Sequence, residues 1–288
     1  MIPNNNLSVL PWYESIEQQN ARKWWVYGRV YPLFTQSGYV LPFQLIKEHN
    51  AADSINFVNL YDANTNRQLQ SYTANFQSTT TKKQFASLGY DVWVNPGEYV
   101  LPNLANGRYY LEMVIGNTHY YSEIFTVVGD IEPYLKISWW DDEDFTMDAG
   151  TIVYESPSFR NILYLQADIA KPEYIFEEEG ETRDGYFFPV KQISEKRYRF
   201  NFLASEYLLD VMRLIRMADH VLIDYHGKRY SVDTFLITPD WENEGDVAVV
   251  EAVFETATVA KKIGGGNGSG PIIRVGDYNN DFNNDFSK

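Results

Sequence analysis

This sequence predicts a mainly β protein: two β-sandwich or barrel domains, the second flanked by one α-helix at about 205–218, and then an extended C-terminal tail. Three observations carry the prediction. Aromatic residues reach 16%, with 22 Tyr, 17 Phe and 7 Trp, and flat rings suit half-buried sheet faces, where they cover area while a hydroxyl stays wet. Short runs rich in β-branched and aromatic residues recur between turn-forming residues. One stretch, just past residue 205, repeats its apolar residues clearly at the helical period.

The chain has 288 residues, enough for two cores of ordinary size. The division read from the sequence is a domain at 1–129, a second at 130–262, and a linker with tail at 263–288. In the first, Trp24 to Leu33 and Tyr39 to Lys47 read as strands punctuated by Gly28, Pro32, Ser37-Gly38 and Pro42. Ile55 to Tyr61 alternates as a third strand, closed by Asp62-Ala63-Asn64. Strands at Tyr90 to Val94, Arg108 to Ile115 and Tyr120 to Val128 follow. Asn106-Gly107 and Gly116-Asn117 are turn dipeptides, the second joining a hairpin. Several short strands at this spacing suggest a sandwich.

Gly129-Asp130-Ile131-Glu132-Pro133 marks the boundary, since turn formers follow a finished strand and an apolar run starts at Tyr134. Beyond it, Arg197 to Phe202 alternates with Tyr198, Phe200 and Phe202 on one face and Arg197, Arg199 and Asn201 on the other. Ser205 is the expected N-cap of the helix that follows. Its buried stripe is Leu208, Leu209, Met212 and Ile215 with Val211, while Arg213 and Arg216 face away near the C-terminal end, where positive charge suits the helix dipole. The aromatic strand face should pack on that stripe. Val221 to Tyr225 and Arg229 to Ile237 flank His226-Gly227 as a hairpin, and Asp246 to Thr256 is a final strand with Ala248, Val250, Ala252 and Phe254 on one face. Gly264 to Pro271 is a flexible linker. The tail after it carries Ile272, Ile273 and Val275, a segment suited to adding a strand to another subunit's sheet edge.

The formal net charge of −15 argues against a surface built to grip nucleic-acid phosphates, though a wall that repels DNA is compatible with it. No cysteine occurs, so disulfides and thiolate metal sites are excluded. The N-terminus does not read as a secretory signal, and no apolar run approaches the roughly 20 residues of a membrane span. A chain made in the cytoplasm and soluble there is the expectation.

Candidate chemistry is sparse. His49, His119, His220 and His226 lie in no metal-binding or catalytic spacing, and structural or solvated roles are expected for all four. Two acidic clusters stand out: Asp141, Asp142, Glu143 and Asp144, and then Glu177, Glu178, Glu179, Glu181 and Asp184. Contiguous carboxylates point in different directions along a strand, so the first reads as a loop after Trp139-Trp140. The second reads as an exposed hairpin tip or flexible loop. Both are solvated or partner-facing on this reading, with a cation site as the other possibility. Asp277, Asn279 and Asp281 imitate the start of a calcium-binding loop, but the glycine and terminal glutamate that such a loop needs do not follow. The seven tryptophans suit cores or subunit interfaces, or a sugar-stacking platform. Phosphate-binding glycine loops and nucleophile elbows are missing.

One resemblance joins these observations. The segment from Lys171 to Val221, KPEYIFEEEGETRDGYFFPVKQISEKRYRFNFLASEYLLDVMRLIRMADHV, with the preceding SWWDDEDF and the later DTFLITPDWENEGDVAVVEAVFET, resembles structural virion proteins of tailed bacteriophages infecting Bacteroidetes, including the crAss-like phages. The likeness covers the second half and reaches into the first through Tyr120 to Phe125. It implies a non-enzymatic subunit of the tail or neck, one that forms a homo-oligomeric ring around the DNA channel. Tail-tube and distal-tail proteins commonly use a β-barrel or sandwich with a single flanking helix. By that analogy the acidic loops, with Asp141, Asp142, Glu177, Glu178 and Glu179, face the channel or a neighbour, and Ile272, Ile273 and Val275 clasp an adjoining subunit. The implied partners are copies of the chain, neighbouring virion tail or neck proteins, and DNA that passes without specific binding; no membrane is involved. Location in the virion, after synthesis in the host cytoplasm, follows. No cofactor, metal or catalytic residue is assigned. The alternative is a carbohydrate- or receptor-binding β-sandwich module using exposed Trp and Tyr. A more remote one is a hydrolase with two carboxylates ~5 to 10 Å apart across a cleft.

Overall fold

The computed structural model describes residues 2–3, 5, 8–21, 33–48, 52, 54–72, 81–85, 90–95, 104–142, 145–146, 152–153, 160–241, 247–256 and 260–263. The protein is mainly β. In the amino-terminal part the strands are β1 (Ile2–Pro3), β2 (Trp12–Tyr13), β3 (Phe34–Gln36), β4 (Phe43–Glu48), β5 (Ile55–Asp62), β6 (Arg67–Ser71), β7 (Thr81–Phe85), β8 (Tyr90–Asn95), β9 (Gly107–Ile115), β10 (Thr118–Ser122) and β11 (Phe125–Val128), with helix α1 (Ile16–Ala21) between β2 and β3. Strands β1, β4, β8 and β7 form one sheet; β2, β3, β5, β6, β9, β10 and β11 form another. Trp12 of one sheet meets Phe43 of the other edge-on, with ring centroids 5.0 Å apart, so the two sheets share a core.

Strand β9 organises the larger sheet. β5 pairs along one of its edges, and β10 then β11 pair along the other. Its residues from Tyr109 to Ile115 are all buried, as a strand covered on both faces should be. Period two divides them: Tyr109, Leu111, Met113 and Ile115 enter the main core, while Tyr110 packs on the other face with Ile16 of α1 and Ile124. Gly116, with φ of 61°, starts the two-residue β9–β10 turn, a position where a Cβ would be strained.

Three expectations for this part need correction. Tyr120 to Val128 is not one strand. β10 leaves the β9 ladder at Tyr121↔Glu112 and β11 rejoins it at Phe125↔Tyr109, so one extra residue bulges out between them. The bulge holds Glu123, whose buried carboxylate accepts from Tyr13 Oη at 2.9 Å and from the Ile124 N–H at 3.0 Å. The Tyr39-to-Lys47 strand begins only at Phe43. Helix α1 was not expected at all. It starts at a reciprocal Ser-x-x-Gln arrangement, in which Ser15 Oγ accepts from the Gln18 N–H and Gln18 Oε1 accepts from the Glu14 N–H, both at 3.1 Å. The expected strand from Trp24 lies, up to residue 32, outside the described residues.

The second part contains β12 (Leu135–Trp140), β13 (Phe145–Thr146), β14 (Ile152–Val153), β15 (Asn161–Leu165), β16 (Glu173–Arg183), β17 (Tyr186–Ser205), helix α2 (Glu206–Met212) with a 3-10 turn (Arg213–Met217), β18 (His220–Tyr225), β19 (Lys228–Asp240), β20 (Val247–Thr256) and β21 (Ala260–Ile263). Eight of these strands make one sheet in the order β15-β12-β18-β19-β20-β17-β16, with β21 paired to β17. Between β11 and β12, the Asp130 side chain accepts from the Glu132 N–H and Ile131 C=O accepts from the Tyr134 N–H. Among the described residues, no sheet mixes strands from both sides of that turn. The apolar core is nonetheless continuous across it, with Phe34 and Tyr134 in ring contact at 4.9 Å.

The inner face of the large sheet is the one expected. Tyr198, Phe200 and Phe202 are buried, as are Ala248, Val250, Ala252 and Phe254 on the neighbouring strand. Leu208, Val211, Met212 and Ile215 of the helical segment join the same core. Leu209, half-buried, packs against this core as expected, while Leu214 is buried but stands outside that cluster. The helix tightens into a 3-10 turn at Arg213, and its three-residue period stacks 214 over 211 and 215 over 212. Ser205 occupies the N-cap position with extended backbone, but its buried hydroxyl makes no capping bond. Arg213 and Arg216 face solvent as expected.

A candidate assembly arm

Strand β17 is 20 residues long, and β20 pairs only with its last part, Arg197 to Ser205. The remainder, Tyr186 to Lys196, continues with β16 as a hairpin roughly 35 Å long. Asp184-Gly185 closes the hairpin, both residues with positive φ (52° and 81°), the conformation of a type I′ turn. β21 lies beside the arm, pairing Ala260 to Ile263 with Ser194 to Lys191.

The arm carries the largest set of exposed rings among the described residues. Phe176 is 68% exposed and Tyr186 71%, and Tyr174, Phe187 and Val190 are exposed as well. Tyr174 and Phe176 sit on the same face as buried Tyr198 and Phe200, since Tyr174 pairs with Lys196 and Phe176 with Ser194. The inner face of the sheet thus runs on past the core without anything covering it. A register shift at Glu179/Gly180 then sets Phe187 opposite Thr182, in line with Phe176. Clustered exposed apolar rings of this kind mark interaction surfaces.

The second acidic cluster lies on an exposed hairpin with Asp184 at its tip, as one of the two expectations had it, but Glu177, Glu178 and Glu179 stand in the paired strand β16 and not in a flexible loop. They pair with Ile193, Gln192 and Lys191. Gln192 Nε2 donates to Glu178 at 2.7 Å, and Lys191 Nζ to Glu179 at 3.0 Å. At the root of the arm, Arg197 pairs with Glu255 at 2.6 Å, and Arg199 bridges Glu173 at 3.1 Å and Glu251 at 3.4 Å. These contacts on the outer face tie β16, β17 and β20 together.

Asp141 and Asp142 follow β12 directly, as the sequence predicts, and form a brace to the start of β18. Asp141 Oδ1 accepts from the Asp219 N–H, Asp219 Oδ2 accepts from the Asp142 N–H, both at 3.0 Å, and His220 Nε2 lies 2.9 Å from Asp142 Oδ1. Burial, with like charge from Asp219 and Asp142, pushes the Asp141 carboxyl above its ordinary value. Trp140 stacks on His220 at 5.0 Å under the Arg160 guanidinium at 4.1 Å. Among the described residues, no group of three His, Asp or Glu side chains is placed to hold a metal ion.

The remaining expected residues divide between core, surface and regions outside the described residues. Trp12 and Trp139 are buried, Trp140 is half-buried beside His220 and Arg160, and Trp241 is 44% exposed. Trp24, Trp25, His49, Glu143, Asp144 and the tail with Ile272, Ile273 and Val275 lie outside the described residues. Trp93 is placed in β8, but its side chain is not described. His226 occupies a two-residue turn with φ of 47°, and Gly227 follows at 74°.

Sequence reading missed a buried polar hub. Glu112 Oε2 accepts from Asn59 Nδ2 at 2.9 Å and Tyr61 Oη at 3.0 Å, and its Oε1 lies 2.9 Å from His119 Nδ1. Burial raises the Glu112 carboxyl, but hydrogen bonds from Asn59, His119 and Tyr61 outweigh that and hold it below its ordinary 4.5. Burial and the Glu112 charge together push Tyr110 up to about 12. The hub ties β5, β9 and β10 into one register. Its only sequence trace is a charged residue inside the apolar run of β9.

No family model and no curated protein matches the chain. Among solved structures, it is similar to a chain of the crystal structure of the ZIG-8-RIG-5 IG1-IG1 heterodimer, over 39% of this chain and 98% of that one, at 13% identity and a TM-score of 0.16. So loose a superposition carries no weight here. Among the described residues, no helix is long and apolar enough to cross a membrane.

Proposed function

We propose that this chain is a non-enzymatic structural subunit of a tailed-bacteriophage virion, forming a homo-oligomeric ring in the tail or head-to-tail connector region around the DNA channel. The observation that carries the reading is the arm: a hairpin whose rings, Tyr174, Phe176 and Phe187, continue the inner sheet face into solvent. An exposed apolar face of that kind marks an interaction surface, and a second protein surface would cover it. The resemblance of the Lys171-to-Val221 segment to virion proteins supports the same reading. With a net charge of −15, DNA would pass through without specific binding. The 264–288 tail would clasp a neighbouring virion protein or another copy.

Mass photometry and negative-stain imaging of the full chain test this. Closed rings are the expected result, and a monomer across the accessible concentration range would sink the reading. Removing residues 264–288 should weaken ring formation; unchanged assembly would eliminate the clasp alone. Reproducible glycan-array binding that is lost in Trp241→Ala would instead favour a carbohydrate-binding module, because Trp241 is the exposed tryptophan among the described side chains.

A further inference from the structure

We infer that copies of this chain join edge to edge through the arm, with the outer edge of β16 in one copy pairing with the outer edge of β21 in the next. This deepens the assembly reading above and rests on it. Strand β17 takes β16 along one edge, from Arg197 back to Tyr186. Along its other edge it takes β20 at Arg197–Ser205 and β21 at Lys191–Ser194. Where β21 lies, the arm is therefore a three-stranded ribbon, and among the described residues neither β16 nor β21 pairs with a further strand. An unpaired edge offers a row of backbone N–H and C=O groups to another chain.

The two edges differ in charge. β16 holds Glu173, Glu177, Glu178, Glu179 and Glu181 against a single Arg183. β21 reads Ala260-Lys261-Lys262-Ile263, with two lysines and no acid. Two acidic edges brought together would oppose like charges directly across the ladder, which is destabilising, whereas acidic against basic is attractive. The favoured contact therefore joins two different edges. Such a head-to-tail contact leaves one edge of each kind open at the ends of a chain of copies, so it repeats until the rotation closes a ring, or else continues as a filament. Tyr174 and Phe176, exposed on the acidic strand, would be covered beside the joint, adding apolar burial.

Charge reversal on the full chain, read by mass photometry against concentration, tests the contact. Glu177→Lys with Glu178→Lys sets lysine against lysine at the middle of the β16 edge, and Lys261→Glu with Lys262→Glu sets glutamate against glutamate there. Each double variant should raise the assembly midpoint about tenfold or more. The chain carrying all four changes restores opposite charges and should assemble as the parent does. Circular dichroism melting accompanies each variant, and recovery in the fourfold variant separates a lost contact from a lost fold. An oligomer whose midpoint neither double variant moves overturns the edge contact and leaves the ring reading standing. A parent chain that remains monomeric overturns both. Assembly that is indifferent to the reversals but lost on removing residues 264–288 would put the tail on the acidic edge in place of β21, and overturns the inference as well.

Discussion

Phe254 lies fully buried on the inner face of β20, stacked on Tyr198 at 5.0 Å, with Tyr230 edge-on at 5.6 Å and Phe200 at 6.2 Å. Phe254→Ala opens a cavity among three rings that are themselves locked in strands and cannot collapse into it. It should cost about 3–5 kcal/mol in urea unfolding. Glu112, in β9 of the larger amino-terminal sheet, contributes to acid sensitivity. Its folded-state pKa is depressed, so its contribution is present above its unfolded value near 4.5 and is lost as pH falls through the lower folded value. Glu112→Gln should therefore flatten the fall in stability below pH 4.5, measured as melting temperature against pH. It should also lower neutral-pH stability by about 1–3 kcal/mol, since one carboxylate acceptor is replaced by a donor facing Asn59, Tyr61 and His119. At this scale alternation was legible: Tyr198, Phe200 and Phe202 against Arg197, Arg199 and Asn201 needed only period two. Ser205 was legible as a position but not as a bond, because backbone geometry decides whether a hydroxyl reaches an amide.

Hairpins dominate the elements, and their turns were visible in advance. His226-Gly227 joins β18 and β19 with positive φ at both residues, and Gly227 stands at 74° with open space around it. Gly227→Ala meets no atom there, yet must hold an L-residue in the left-handed region. The expected cost is about 1 kcal/mol or more by urea denaturation. Gly116-Asn117 was legible by the same logic. The acidic stretch of β16 was not, because Glu is depleted from strands and the run reads as turn or loop. What makes it a strand is its partner: Ile193, Gln192 and Lys191 supply the ladder and the counter-groups. Helix α1 carried a local signal in Ser15 and Gln18, but six residues are too few for apolar periodicity to show. The break between β10 and β11 carried none, since a bulge is a property of pairing rather than of one strand.

For the whole molecule, the decisive features are the continuous core beneath separate sheets and the arm that leaves it. The proposed ring and its edge contact belong to this scale. Composition, turn dipeptides and period-two patterning were sufficient for a mainly β chain, for the inner face of the large sheet and for a single amphipathic segment leading out of it. Those are local properties, set by side-chain size, polarity and backbone preference within a few residues. Tertiary structure alone decided that Glu177 to Glu179 form a paired edge strand, that Glu112 is a buried hub, and that Tyr174 and Phe176 lie past the end of the core while Tyr198 and Phe200 lie within it. All four rings share one alternation. Which of them is buried depends on how far β20 and α2 extend along β17, and that is a distance between elements that no single strand's sequence encodes.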